Sequence, residues 1–169
     1  MDSAPATSRL FLALWPDPGV RAALRDWRDA WQWPRGATPV HTDKLHLTLH
    51  FLGEVPRARL PGLVEGFAAP CAPFRLEVGR AVAWPHGLAV LEPLGNPPAL
   101  LALHARLGEA LVALGLQPEA RAYRPHVTMA RRAHGAGLPA ERPAISWDVQ
   151  GYALVESCAG VYKVLRTYT

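Results

Sequence analysis

The stretch Leu45-His46-Leu47-Thr48-Leu49-His50-Phe51-Leu52 (LHLTLHFL) decides how the rest of the chain is read. Polar and apolar residues alternate through it, so an extended strand sets His46, Thr48 and His50 on one face and Leu45, Leu47, Leu49 and Phe51 on the other. The apolar face predicts a seat in the core, while the polar face holds an imidazole and a hydroxyl side by side. A second run, His126-Val127-Thr128-Met129-Ala130-Arg131 (HVTMAR), repeats the arrangement, with His126 and Thr128 on one face and Val127 and Met129 on the other.

Working outward, each run is preceded by a similar series of elements. Arg9 to Trp15 (RLFLALW) is short and apolar and stops at Pro16, as a buried strand would. Asp17 then offers an N-cap with Pro18 in the first turn, and Val20, Leu24, Trp27 and Trp31 follow at helical spacing. A loop with Pro and Gly over 34–43 leads into the first motif. Beyond it, 57–67 predicts a helix weakened by Pro61, Gly62 and Gly66, and 74–84 with 88–91 predicts a hairpin turning at Pro85-His86-Gly87. Asn96 is the expected cap of the next helix, whose stripe is Leu100, Leu103, Leu107, Leu111 and Leu114, with Gly115 as its stop. A loop rich in Arg and Pro leads into the second motif. The order strand, helix, His-x-Thr strand therefore occurs twice, and short β-like runs over 145–149, 152–158 and 160–168 complete the sheets. No low-complexity segment or linker divides the chain, so one bilobed domain over 1–169 is expected.

With 169 residues, 50% apolar and 19% charged, the chain has the balance of a globular protein with a real core. A formal charge of +4 and a pI near 9.5 favour polyanions without identifying one. Arginine carries nearly all of the positive charge, since Lys44 and Lys163 are the only lysines, and its planar fork suits phosphate oxygens. Cys71 and Cys158 are isolated and fit reduced thiols better than a disulfide framework. Met1 to Ser8 lacks the pattern of a secretory leader, and no apolar run approaches the ~20 residues that span a bilayer. A cytoplasmic protein that does not engage a membrane is expected.

Two His-x-Thr strands facing across a cleft offer two imidazoles and two hydroxyls to one small group. Hydrolysis of a cyclic phosphodiester needs a base for water and an acid for the departing ribose oxygen, and histidine fills either role near neutral pH. Hydroxyls and an arginine hold the nonbridging oxygens as charge shifts. A metal site is the competing chemistry, yet threonine is a poor third ligand and neither segment supplies a carboxylate or cysteine at ligand spacing. No metal or other cofactor is expected.

The chain resembles the 2H phosphoesterase superfamily, named for two HxTx motifs, and most closely its RNA 2',3'-cyclic phosphodiesterases, also called 2'-5' RNA ligases. The resemblance rests on Arg9–Ala13 (RLFLA), Leu45–Val55 (LHLTLHFLGEV), Tyr123–Arg131 (YRPHVTMAR) and Ser157–Leu165 (SCAGVYKVL). It implies an α+β, bilobal fold: two lobes of antiparallel sheet, related by a pseudo-twofold axis, with outer helices around a central cleft. It also implies that His46 donates a proton to the leaving ribose 3' oxygen and that His126 accepts one from water, leaving a 2'-phosphate. Thr48 and Thr128 match the motif hydroxyls that contact phosphate, and Arg131 matches a basic residue after the second motif. In a regular strand Arg131 would face away from His126, so its role needs a bulge or a strand end. Tyr123 is either a platform for the terminal base or a packed aromatic at the loop end. His50 stands where the family commonly has arginine and is expected to share the His46 face, either as a solvated strand histidine or as a contact to RNA.

The expected partner is RNA ending in a 2',3'-cyclic phosphate or a related nucleotide, with no obligate protein partner. Three other readings remain open: joining RNA through a 2'-5' bond, acting on small cyclic nucleotides, and binding RNA ends without turnover. His41, His86, His104 and His134 are read as structural or exposed.

Overall fold

The computed structural model describes residues 6–169. The first five residues of the segment read as lacking a leader lie outside that range. The strands are β1 (Thr7–Leu14), β2 (Thr38–Pro39), β3 (Leu47–Pro56), β4 (Phe74–Trp84), β5 (Leu88–Pro93), β6 (Val127–Arg131), β7 (Ile145–Val149), β8 (Tyr152–Cys158) and β9 (Val161–Tyr168). The helices are α1 (Pro18–Asp29), α2 (Leu60–Gly66) and α3 (Pro98–Ala113).

The strands form one antiparallel sheet in the order β7-β4-β5-β6-β3-β1-β8-β9, with β2 paired to β6. The order is symmetric about its middle. β9-β8-β1-β3 and β7-β4-β5-β6 are two four-stranded halves, joined where β3 and β6 pair through Leu47 and Val127. In each half a central strand, β1 or β5, is followed by a long helix and then by a His-x-Thr strand. This is the α+β, two-lobed arrangement that the repeated order predicts. The helices pack across the join, since α1 contacts β7 of the opposite half and α3 contacts β3.

β1 is apolar from Leu10 to Leu14 because both of its faces are covered there. Leu10, Leu12 and Leu14 enter the main core, while Phe11 and Ala13 form a second cluster with Ala153, Val155, Trp15, Tyr162 and Val164. The second cluster lies on the His46 side of the sheet, since Phe11 stacks on that imidazole.

Asp17 caps α1 as predicted, its Oδ1 accepting from the Val20 amide at 2.8 Å, and Val20, Leu24, Trp27 and Trp31 are buried. Helix α3 buries Leu100, Leu103, Leu107 and Leu111. It ends in a Schellman motif, with the Gly115 amide on the Val112 carbonyl, the Leu116 amide on the Leu111 carbonyl, and Gly115 at φ 79°. Asn96 is not its cap: Pro97 occupies that position and no side chain caps the end. The 57–67 segment divides into a 3-10 turn over Arg57–Arg59 followed by α2, in keeping with its Pro and Gly content. Cys71 and Cys158 are free. Among the described residues no helix is long and apolar enough to cross a membrane.

Candidate active site

The single Leu47–Val127 pair places the two motifs against each other. Continuing that antiparallel register sets Thr48 opposite His126 and His46 opposite Thr128, so the four polar residues form a square on one face. Leu47 and Val127 point the other way and are fully buried. Both histidines sit one residue before their strands begin, at Leu47 and Val127, where the chain is freer to aim an imidazole than inside a ladder.

The two imidazoles are held in the same way. His46 Nδ1–H donates to the Lys44 carbonyl at 2.6 Å, and His126 Nδ1–H donates to the Arg124 carbonyl at 2.8 Å. Each bond reaches back two residues and fixes the tautomer, leaving Nε2 without a proton in the neutral ring. In neutral His46 that Nε2 accepts from the Thr48 hydroxyl at 2.9 Å.

Both strands carry a bulge just after the threonine. β3 skips Leu49 against β1, pairing Thr48 with Ala13 and His50 with Leu12. β6 skips Met129 against β5, pairing Thr128 with Val90 and Ala130 with Ala89. A bulge reverses the alternation that follows it. Met129 and Ala130 are accordingly both buried and Arg131 returns to the face of His126 and Thr128. The positive charge of Arg131 bears on both imidazoles. The condition attached to Arg131 is thus met by a bulge.

The same device overturns the expectation for His50. Skipping Leu49 turns His50 away from His46 and into the α3 side, where it is 6% exposed and its Nε2–H donates to the His104 carbonyl at 2.8 Å. Phe51 takes the cleft-side position that Arg131 holds in the other half, opposite Phe11 in the ladder and 49% exposed. Of the two readings of Tyr123, the packed aromatic is the one observed. Its ring stacks on His104 at 3.7 Å, His104 stacks in turn on His50 at 4.0 Å, and its hydroxyl donates to the Thr48 carbonyl at 2.9 Å. The tyrosine is a brace tying the loop before His126 to the first motif strand, with one ring face already covered.

Several neighbours of the imidazoles were not singled out by the sequence. His46 lies against Phe11 at 4.7 Å, Trp15 at 6.0 Å and Tyr162 at 5.7 Å. Arg21 on α1 stands over Trp15 and donates to the carbonyls of Thr42 and Leu45. His126 lies against Trp84 at 4.3 Å, and Arg124 spans that indole and the carboxylate of Glu92. Phe11, Tyr162 and Arg124 fell in quoted motifs without being assigned a role, whereas Arg21, Trp84 and Glu92 come from separate elements and nothing local marks them.

Burial pushes the His46 imidazole down to about 4, and the charges of Arg21, His126 and Arg131 act in the same direction against its bond to the Lys44 carbonyl. His126 is also lowered, first by burial and then by Arg124 and Arg131, while its bond to the Arg124 carbonyl and the charge of Glu92 oppose the change. Both imidazoles are therefore neutral near pH 7 in the free protein. No cluster of three or more His, Cys, Asp or Glu side chains is assembled as a metal-binding set among the described residues.

Comparison with known proteins agrees with this architecture. The family model of the 2'-5' RNA ligase superfamily matches residues 16–157. A Thermus thermophilus protein named RNA 2',3'-cyclic phosphodiesterase is 33% identical, the match covering 95% of this chain and 89% of the relative. An Escherichia coli K12 protein of the same name is 31% identical over 88% of this chain and 83% of its own length. The crystal structure of E. coli LigT complexed with 3'-AMP superposes with a TM-score of 0.79 at 26% identity, covering 96% of this chain and 97% of LigT. With paired His-x-Thr strands at the join of two matching half-sheets, and relatives that share nearly its whole length, this chain belongs to the 2'-5' RNA ligase superfamily and has the 2H phosphoesterase fold.

Proposed function

We propose that the protein opens 2',3'-cyclic phosphates at RNA ends to 2'-phosphates, without a metal, using His46 as acid and His126 as base. The observation that carries this reading is the pair of imidazoles, each fixed through Nδ1 so that Nε2 is left for the substrate. Water enters from the His126 side and attacks phosphorus in line with the bond to O3'. His126 Nε2 takes its proton, the P–O3' bond breaks, and His46 Nε2–H supplies the proton that O3' needs to leave as a hydroxyl. Arg131, with Thr48 and Thr128, holds the nonbridging oxygens as their charge grows.

The low affinity of free His46 for protons fits this cycle once the substrate is considered. A phosphodiester anion beside the imidazole offsets Arg21 and Arg131, so the acid gains its proton as substrate binds. Metal independence is supported by chemical sufficiency: two imidazoles and a guanidinium account for each proton and for the developing charge. Because each half supplies one histidine, the two halves are proposed to work as one domain. The free thiols of Cys71 and Cys158 suit the cytoplasm, where such RNA ends would be met.

The test is incubation of EDTA-treated protein with a short RNA ending in 2',3'-cyclic phosphate, with the product read by mass and phosphatase sensitivity. A 2'-phosphate is expected; unchanged RNA, or a 3'-phosphate, would refute the reading. Running the assay in reverse with cleaved RNA halves separates hydrolysis from 2'-5' joining.

A further inference from the structure

We infer that the RNA strand leaves the cleft over the β8–β9 hairpin, where Lys44 binds the phosphodiester that precedes the terminal nucleotide, making the site selective for RNA ends over cyclic mononucleotides. The inference rests on the role proposed for His46. In an in-line displacement the attacking water and the leaving oxygen lie on opposite sides of phosphorus, so an acid at His46 places the ribose in the β9-β8-β1-β3 half. The 5' continuation of the chain starts from that ribose and must cross the rim of the same half.

That rim is built for a nucleic-acid strand. Trp15 and Tyr162, both partly exposed, wall the His46 side with aromatic surface suited to bases, backed by buried Phe11. The Lys44 ammonium lies 5.2 Å from the Tyr162 ring centroid, and the Tyr162 and His46 rings are 5.7 Å apart, so the two distances laid end to end hold ammonium and imidazole within about 11 Å. The ammonium also lies over the tip of the β8–β9 turn, where a Cβ on Gly160 would stand 4.0 Å from it.

Among the described residues no carboxylate is paired with Lys44; its neighbour Asp43 is turned to His41 at 3.7 Å. The segment that carries Lys44 is fixed, because Arg21 donates to the Thr42 carbonyl at 2.8 Å and to the Leu45 carbonyl at 3.0 Å, on either side of it. A cation held on a braced turn, beside an aromatic wall and without a protein counter-ion, meets the requirement for a backbone phosphate. The opposite rim differs: Arg124 is committed to Glu92 and covers the Trp84 ring.

The experiment compares kcat/KM for 2',3'-cyclic AMP and for a trinucleotide ending in 2',3'-cyclic phosphate, with wild type, Lys44→Met and Lys163→Met. Wild type should prefer the trinucleotide. Lys44→Met should erode that preference by roughly tenfold, and the slope of log kcat/KM against log salt for the trinucleotide should flatten by about 0.7, as for one lost phosphate contact on a single strand. Lys163→Met, on the exposed face of β9, should keep the wild-type preference. Turnover of both substrates with no preference, or an equal loss on both in Lys44→Met, would overturn the inference while leaving the proposed hydrolysis standing. Turnover of neither would remove the parent reading and this inference with it.

Discussion

The two half-sites share their local design and differ in what surrounds it. Each has a histidine donating to the carbonyl two residues back, a threonine two residues on, and a bulge that skips the following residue. Around His46 stand Phe11, Trp15 and Tyr162, and Phe51 fills the position after the bulge. Around His126 stand Trp84 and the Glu92–Arg124 pair, and Arg131 fills that position. One backbone device used twice therefore gives two imidazoles aimed alike, and the surroundings differ: an aromatic wall on one side and charged groups on the other.

The comparison breaks first at the imidazoles. His46→Ala and His126→Ala should each lower single-turnover hydrolysis by about a hundredfold or more, and the double variant should fall little further than the worse single one. Melting temperatures close to wild type would show that the loss is chemical. Near-additive losses would mean that the two act independently.

It sharpens next at the paired positions after the bulges. Arg131→Met should cost roughly a hundredfold in kcat, as the loss of a group that meets charge developing in the transition state. Phe51→Ala removes no charge and should cost far less, chiefly in KM. Similar effects from both would contradict the asymmetry drawn here.

The smallest effect concerns the stack behind the first motif. Burial, with the neighbouring His50, pushes His104 down to about 4, and burial lowers His50 despite its bond to the His104 carbonyl. Both are depressed below 6.5, so the unfolded chain binds more protons than the folded one between that value and about 4. Stability should be steady at neutral pH and decline as pH falls through that window, as buried His46 also requires. His104→Phe preserves a ring in the stack and removes one titrating group, so its melting temperature should fall less steeply between pH 7 and 4.5. A slope equal to wild type would show that His104 does not contribute.

Much of the fold was legible because burial on one face leaves a period in the sequence. Leu100, Leu103, Leu107 and Leu111 wrote the inner face of α3, and Leu47 and Val127 wrote the inner faces of the motif strands. The repeated order of elements exposed the two halves. The bulges were not legible, because alternation assumes regular pairing and a skipped residue depends on the neighbouring strand. That one omission explains both the inward turn of His50 and the cleft-side position of Arg131. Tyr123 was noticed, but its partners Thr48 and His104 lie 75 and 19 positions away, and only folding brings them together.

The central claim is the division of labour between His46 and His126, and the most direct test replaces the leaving oxygen. In an RNA whose terminal cyclic phosphate carries sulfur in place of O3', the departing thiolate needs little help from an acid. His46→Ala should then recover most of its lost single-turnover rate, while His126→Ala, lacking the base for water, should remain as slow as on the oxygen substrate. Recovery by His126→Ala instead, or by neither variant, would contradict the assignment.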